Sequence, residues 1–399
     1  MSRRIAIVTT KQPGTNPRMR KNADALSAAG YDVLVLYAFT AKWADKTDKT
    51  ILQQAQWAYR RIGGHPIESP TQYFLTRLIR KWSNWRNNLD GIFCLSIRDF
   101  VNAVIEFKPH LTIGHNPGSL PVLSQLKSNS NLKVLFDAED FHRGEFPEES
   151  REAEQVTRLE DECIPSLRSL TTASPLIQTA YQGLYPEVHN TTINNAFDLG
   201  LQPEFKPLPT GPLKLCWFSQ VVELNRGLEE FLNQLIPLSD LDLAITIVGN
   251  ATEHVKSTLR RCVSNPSHKI QFLPATSEWQ LAKTVSEHHL GLALEPGFSA
   301  NNLIARSNKV FFYPLCGCLT LFSKTPGQID FHQQHPITGH LIDLDDDNVS
   351  TQILRHLYEN RNELELKRSN TWEFAANHLN WETESKKLLK LVDSLIETS

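Results

Sequence analysis

The chain of 399 residues contains no run approaching the roughly 18 apolar residues that a membrane-spanning helix requires. Cysteine is scarce: six residues, at positions 94, 163, 216, 262, 316 and 318, show no zinc-ligand spacing. Most lie in apolar runs and read as buried thiols of a reducing compartment. There is no excess of one charge, the net value being -3, so nothing in the composition calls for a nucleic-acid partner. No G-x-G-x-x-G follows the first apolar stretch, which disfavours a nicotinamide dinucleotide site. Internal repeats and low-complexity segments are also missing. Met1-Ser-Arg-Arg precedes an apolar stretch that is too short for a secretory leader and ends in Lys11-Gln12-Pro13-Gly14, so Ile5–Thr9 reads as a buried strand. The expected location is cytoplasmic, or peripheral to a membrane.

What is present is ordinary globular material, 21% charged and 40% hydrophobic, in a chain long enough for two cores. Short apolar strands alternate with helical stretches. The first half offers 5–9, 33–37, 111–114, 134–136 and 170–173 as strands, with helices over 22–29 and 155–169. A proline cluster, Pro203, Pro207, Pro209 and Pro212, marks a linker. The second half restarts with strands at 214–219, 243–248, 270–273, 290–294 and 319–322. This alternation predicts α/β architecture with parallel sheets and crossover helices, two Rossmann-like domains meeting across a cleft.

The most informative stretch is NNLIARSNKVFFYPLCGCLTLFSKTPGQ, Asn301 to Gln328. Ser307-Asn308 favour a helix N-cap, Lys309 follows, and the apolar run 310–316 stops at Gly317. A short strand and then a turn cluster, 323–327, complete a helix-glycine-strand unit. The helix start offers unpaired N–H groups and the positive end of the dipole, with Lys309 and Arg306 adding charge, as an anion would require. The alternative is that Asn308 caps the helix and Lys309 is solvated.

This segment resembles the N-K-L-F-E-Y-L-x-x-G stretch of retaining glycosyltransferases of the GT-B fold, family 4. Four other pieces resemble matching parts of that family in order: GTNPRMRKNADALSAAGYDV from Gly14, TIGHNPGSL from Thr112, VLFDAED from Val134, and WFSQVVELNRGLEEF from Trp217 followed by ITIVGN from Ile245. The resemblance implies an acceptor domain over 1–200, a linker over 201–213 and a donor domain over 214–380. It also implies a final helix over 381–399 that returns to the first domain. The implied activity is transfer of a sugar from a nucleotide-diphosphate sugar to a glycan, lipid-linked or other hydroxyl acceptor, with retention and without a metal or other cofactor.

On the donor side the resemblance points to Ser219, Gln220, Arg226, Glu295, Asn308 and Lys309. Arg226 stands at the family's lysine position, but Gln220 replaces an arginine, so one cation of the diphosphate clamp is lost. The family's pair of glutamates falls at Ile304 and Phe312, and phenylalanine accepts no hydrogen bond from a ribose. Glu295, ending a strand, is an alternative hydroxyl acceptor or a solvated loop carboxylate. In the first half, Gly14 is expected to let backbone N–H groups approach a phosphate or the acceptor. Arg18 and Lys21 either receive an anionic acceptor or lie on a solvated face. His115, Glu139 and Asp140 end buried strands, where ligands of such sheets bind, and are the catalytic candidates. Glu139 stands where much of the family has histidine, with His142 and Arg143 near enough in sequence to replace that imidazole.

No metal site is expected. Asp343, Asp345, Asp346 and Asp347 precede an apparent helix and read as exposed capping residues. Finally, YFLTRLIRKWSNWRNN, 73–88, is a basic amphipathic helix. It suits either an anionic membrane surface or packing on its own domain through its apolar face.

Overall fold

The computed structural model describes residues 3–86, 88–130, 132–263 and 265–397. Contacts divide the chain into two units, Met1–Asn194 with Ser385–Ser399, and Asn195–Glu384.

The first unit is built on a seven-stranded sheet in the order β3-β2-β1-β4-β5-β6-β7. Its strands are β1 Arg4–Thr9, β2 Asp32–Ala38, β3 Ala58–Ile62, β4 Leu111–His115, β5 Val134–Ala138, β6 Ser169–Thr172 and β7 His189–Thr192. All pairings are parallel. Every residue of β4 and β5 is buried, because helices cover both faces of such a sheet. The order reverses between β1 and β4, where Thr9 pairs with His115. The first helix, Pro17–Ala28, is capped by Asn16, whose side chain accepts from Met19 N–H. The helix expected over 155–169 is instead Arg151–Cys163, ending just before Pro165 and freeing Ser169 to open β6. The final helix, Trp381–Glu397, begins in the second unit, and its residues from Ser385 onward belong to the first. The last two positions of the helix expected over 381–399 lie outside the described residues. The helix buries Leu388, Leu391 and Val392. Asp393 accepts from Arg3 and Tyr31, and the Ile396 carbonyl accepts from Lys133.

The second unit has a six-stranded parallel sheet, β10-β9-β8-β11-β12-β13. Its strands are β8 Leu213–Val221, β9 Leu243–Asn250, β10 His268–Leu273, β11 Leu290–Ala293, β12 Leu319–Ser323 and β13 Gly339–Ile342. The order reverses between β8 and β11. Helix Lys309–Leu315 lies against β11 so closely that a Cβ on Gly291 would come within 2.0 Å of the Tyr313 ring. All seven of its residues are buried. The residues 323–327, expected as a turn, instead lead into a further helix, Pro326–Gln334, with Pro326 in its first turn. Thus the expected architecture of two Rossmann-like α/β units is what the chain adopts. The strands β3, β7 and β13 were not anticipated.

Candidate functional site

In open α/β sheets, ligands bind beyond the carboxyl ends of strands where the order reverses. Each unit has one such point.

In the second unit, β8 runs into a register shift between Phe218 and Val221 that contains Ser219 and Gln220. Ser219 is half-buried and Gln220 exposed. The chain then turns through Asn225 at φ 59° and Gly227 at φ 79°, a conformation glycine adopts without penalty, to enter helix Leu228–Asn233. This turn holds Arg226 half-buried, with its Nε buried and without a hydrogen-bond partner among the described residues. Glu295, just beyond β11, is buried. Its Oε1 accepts from Lys309 Nζ at 3.1 Å and its Oε2 from Asn302 Nδ2 at 2.9 Å. Burial opposes ionisation of Glu295, but the Lys309 charge, the Asn302 and Lys309 hydrogen bonds and the Arg226 charge outweigh it and hold the carboxyl below its ordinary range. Lys309 is itself buried and lies 5.3 Å from the centre of the Trp217 ring. So Arg226, Glu295 and Lys309 form one charged cluster, two cations to one anion, at the switch point of the sheet.

Other expectations for this region change. Asn308 precedes the helix but makes no side-chain capping bond, because its backbone is already helical, φ -55° and ψ -24°, and its side chain is exposed. Arg306 does not add charge at the helix start, since its guanidinium donates to Asp330 and Gln334. Phe312 is fully buried against Phe197 and Phe218, an aromatic core position. Near the head of helix Pro326–Gln334, Thr325 Oγ1 and Gln328 Oε1 are buried without partners among the described residues. Neither was singled out from sequence.

In the first unit, His115 ends β4 and Asp137 lies in β5, and the two form the centre of a buried network. Asp137 accepts from Arg18 Nε and Nη2 at 2.8 Å each, and from Thr171 Oγ1 at 2.7 Å. His115 Nδ1 lies 3.1 Å from Asp137 Oδ2. Arg18 and Asp137 are both 0% exposed, and Arg18 also donates to the Ile193 carbonyl. Arg18 therefore does not receive an acceptor from solvent. Burial alone would push Asp137 toward its neutral acid, but Arg18 and then His115 hold it far below the carboxylate range. Asp137, within the quoted VLFDAED, was missed as a positioning residue because its partners lie far away in sequence.

The Gly14 N–H donates to Asp48 Oδ1 at 2.6 Å, so it is not the open phosphate donor expected. Lys21 is half-buried on the first helix. Glu139 and Asp140 are half-buried just past β5. Burial and then the neighbouring Asp140 charge push Glu139 up, toward holding a proton. Arg143 does not replace an imidazole, since it donates to Glu160, Asp161 and Tyr185. His142 pairs through Nδ1 with Glu145. Asp140, His142 and Glu145 have potential ligand atoms within 4.8 Å of one another, a spacing the sequence had not suggested. Asp346 caps its helix as expected, accepting from the Asn348 N–H.

No protein-family model matches the chain, and no curated protein matches it. Solved structures do. A sucrose-phosphate synthase from Thermosynechococcus elongatus aligns over 100% of both chains at TM-score 0.71 and 14% identity. A glycosyltransferase from Rickettsia africae aligns over 100% of both at TM-score 0.71 and 11% identity. A point mutant of S. aureus TarM, solved with Fondaparinux, alpha-GlcNAc-glycerol and UDP, aligns over 99% of this chain and 100% of its own at TM-score 0.65 and 9% identity. The fold is GT-B.

Proposed function

We propose that the protein is a glycosyltransferase that moves a sugar from a nucleotide-diphosphate sugar to a hydroxyl acceptor in glycan synthesis. The observation that carries this reading is the cluster of Arg226, Lys309 and Glu295 at the switch point of the second sheet, on a fold shared with glycosyltransferases. A diphosphate leaving group develops negative charge as the sugar bond breaks, and preorganised cations in a partly dry site stabilise that charge. Arg226 supplies a guanidinium with an unpartnered Nε, and Lys309 supplies a point charge held by Glu295. These two cations do for the diphosphate what a divalent ion would do, so we assign no metal to the reaction. We also assign Glu295 the role of accepting a hydroxyl of the donor beside its bonds from Lys309 and Asn302.

We assign the acceptor to the first unit, with Lys21 as its candidate cation and Glu139 or Asp140 as candidate bases beside His115. Retention of configuration follows the resemblance to family 4.

Calorimetric titration with UDP, GDP, ADP and TDP tests the donor site, and the UDP held by the TarM structure makes UDP the first choice. Saturable binding of one nucleotide, weakened at least tenfold in Arg226→Ala and unchanged by a chelator, is the expected result. Failure of all four to bind would favour a second reading, a GT-B protein that binds a glycan or partner without catalysis. Phe312 in the aromatic core and the uncharged Gln220 are the observations behind that reading.

A further inference from the structure

Helix Pro70–Arg86 of the first unit packs by its polar side. Among its described side chains the buried ones are Thr76 at 4% and Ser83 at 2% exposure. Thr76 Oγ1 donates to the Gly63 carbonyl at 3.0 Å, and Ser83 lies so close to Gly91 that a Cβ there would come within 2.0 Å of its Oγ. The two positions share one face, seven residues being close to two turns. The apolar residues point elsewhere: Phe74, Leu75, Leu78, Ile79, Trp82 and Trp85 are between 42% and 79% exposed. Sequence left open whether this helix packs on its own domain through its apolar face. It does not.

The charge on the helix is of one sign. Between Ser69 and Leu89 stand Arg77, Arg80, Lys81 and Arg86, with no aspartate or glutamate. Arg77 donates to the Phe39 carbonyl and covers the Tyr73 ring, and Arg86 covers the Trp82 ring. Arg80 and Lys81 make no ion pair among the described residues. An apolar face with two exposed tryptophans and bordering cations matches the layering of a bilayer interface, where rings sit at headgroup depth and cations meet anionic lipid.

We infer that this helix docks the first unit on an anionic lipid surface, lying in the plane of the interface. A second copy of the chain is a poorer occupant, because a twofold contact through this helix brings like charges together and interface cores are depleted of charge. Arg77 and Arg80 also line a cavity of about 160 Å³ with Thr10, Phe39, Ser96 and Phe100, beyond the carboxyl end of β1. The helix therefore adjoins the carboxyl end of β1, the strand that pairs with β4.

Flotation of the full-length protein with vesicles tests the inference without nucleotide or acceptor, so it stands or falls apart from the donor reading. The protein is expected to float with phosphatidylcholine–phosphatidylglycerol vesicles, to stay behind with phosphatidylcholine alone, and to be released by high salt. Arg80→Gln with Lys81→Gln should weaken partitioning roughly thirtyfold, about 1 kcal/mol per cation near the surface. Trp82→Ser with Trp85→Ser should abolish flotation without loss of folding, checked by circular dichroism, since both rings are largely exposed. Absence of flotation with the anionic vesicles, or equal flotation with both kinds, overturns the inference. So does a concentration-dependent dimer that the tryptophan substitutions dissolve, which would give this face to a second copy.

Discussion

At the switch point of the first sheet, Arg18 and Asp137 face one another with no exposure to solvent and His115 beside them. In the second unit His288 and His289 are buried with depressed pKa values, kept neutral chiefly by burial. The contrast extends to single histidines. Burial works against a charge on His142 in the first unit, but the Glu145 hydrogen bond outweighs it and raises the pKa. His288 donates or accepts only with neutral oxygens, Thr284 O and Thr246 Oγ1, and its pKa falls to about 4. A buried imidazole takes the charge its neighbours can support. The first unit gathers Arg18, Asp137 and His115 in one buried network at its switch point, whereas the second spreads its buried charges over separate pairs, Lys309 with Glu295, Arg306 with Asp330 and Arg368 with Glu365, and keeps His288 and His289 neutral.

Breaking the first network should produce the largest effect. Asp137→Asn leaves Arg18 buried without an anion, and the loss of one member of a buried pair costs about 3–5 kcal/mol. Denaturant unfolding would measure the loss, and hydrogen exchange would place it in β4 and β5. Retained stability with protected amides there would show that the network is not what holds these strands. Next in size is Phe312→Glu, which installs the glutamate that the family resemblance expects. In this chain the carboxylate would enter the Phe197–Phe218 cluster without a partner, costing about 3 kcal/mol. Lower thermal stability with no gain in nucleotide affinity is the expected outcome. Tighter nucleotide binding would instead mean that the position faces ligand.

These two substitutions also mark what the sequence could and could not reveal. Central strands such as β4 and β11 are buried along their whole length and read as short apolar stretches, and their alternation with helices was enough to expect parallel sheets with crossover helices, though not the strand order. The strands that escaped notice are β3, AYRRI, and β7, HNTT, which are sheet edges with polar or exposed residues, and β13, GHLI, which is four residues long. Glu295 and Lys309 were each legible as candidates because one ends a strand and the other opens a helix. Their pairing needed the packing of that helix on β11. Arg18 was misread because PRMRK offers three cations on one helix and only the fold selects the one that meets Asp137, 119 positions away. The apolar face of Pro70–Arg86 was legible as a stripe, but its direction was not, since a stripe alone does not tell core from surface.

Acid separates the two units further. His288 has a folded pKa of about 4 against an ordinary 6.5, so below 6.5 the unfolded chain binds the proton first. The stability it contributes is present above pH 6.5 and is lost as pH falls toward 4, by roughly 2–3 kcal/mol. His142 has the opposite sign: its contribution is complete below 6.5 and is lost as pH rises through its raised folded value. Hydrogen exchange followed between pH 7 and 4 should therefore show β9 and β11 losing protection before β4 and β5, and His288→Gln should flatten the slope in the second unit. Equal loss in both units would erase the distinction.

The smallest effect is expected where a charge pair lies in water. Asp393 on the final helix accepts from Arg3 at 2.9 Å, and the two side chains are 49% and 41% exposed. The distance is close to the 2.8 Å of Arg18 with Asp137, but the contact is single where that one is bidentate, solvent screens it and ordering two mobile side chains offsets the gain, so Asp393→Ala should cost no more than about 1 kcal/mol. Leu388 and Val392 on the same helix are buried, and either truncation to alanine should cost about 2 kcal/mol or more. If the aspartate proved the more costly loss, attachment of this helix would rest on its polar contacts, and raising salt would then weaken it. A helix held by its leucines should be indifferent to salt, and melting curves of the three variants at low and high ionic strength distinguish the two cases.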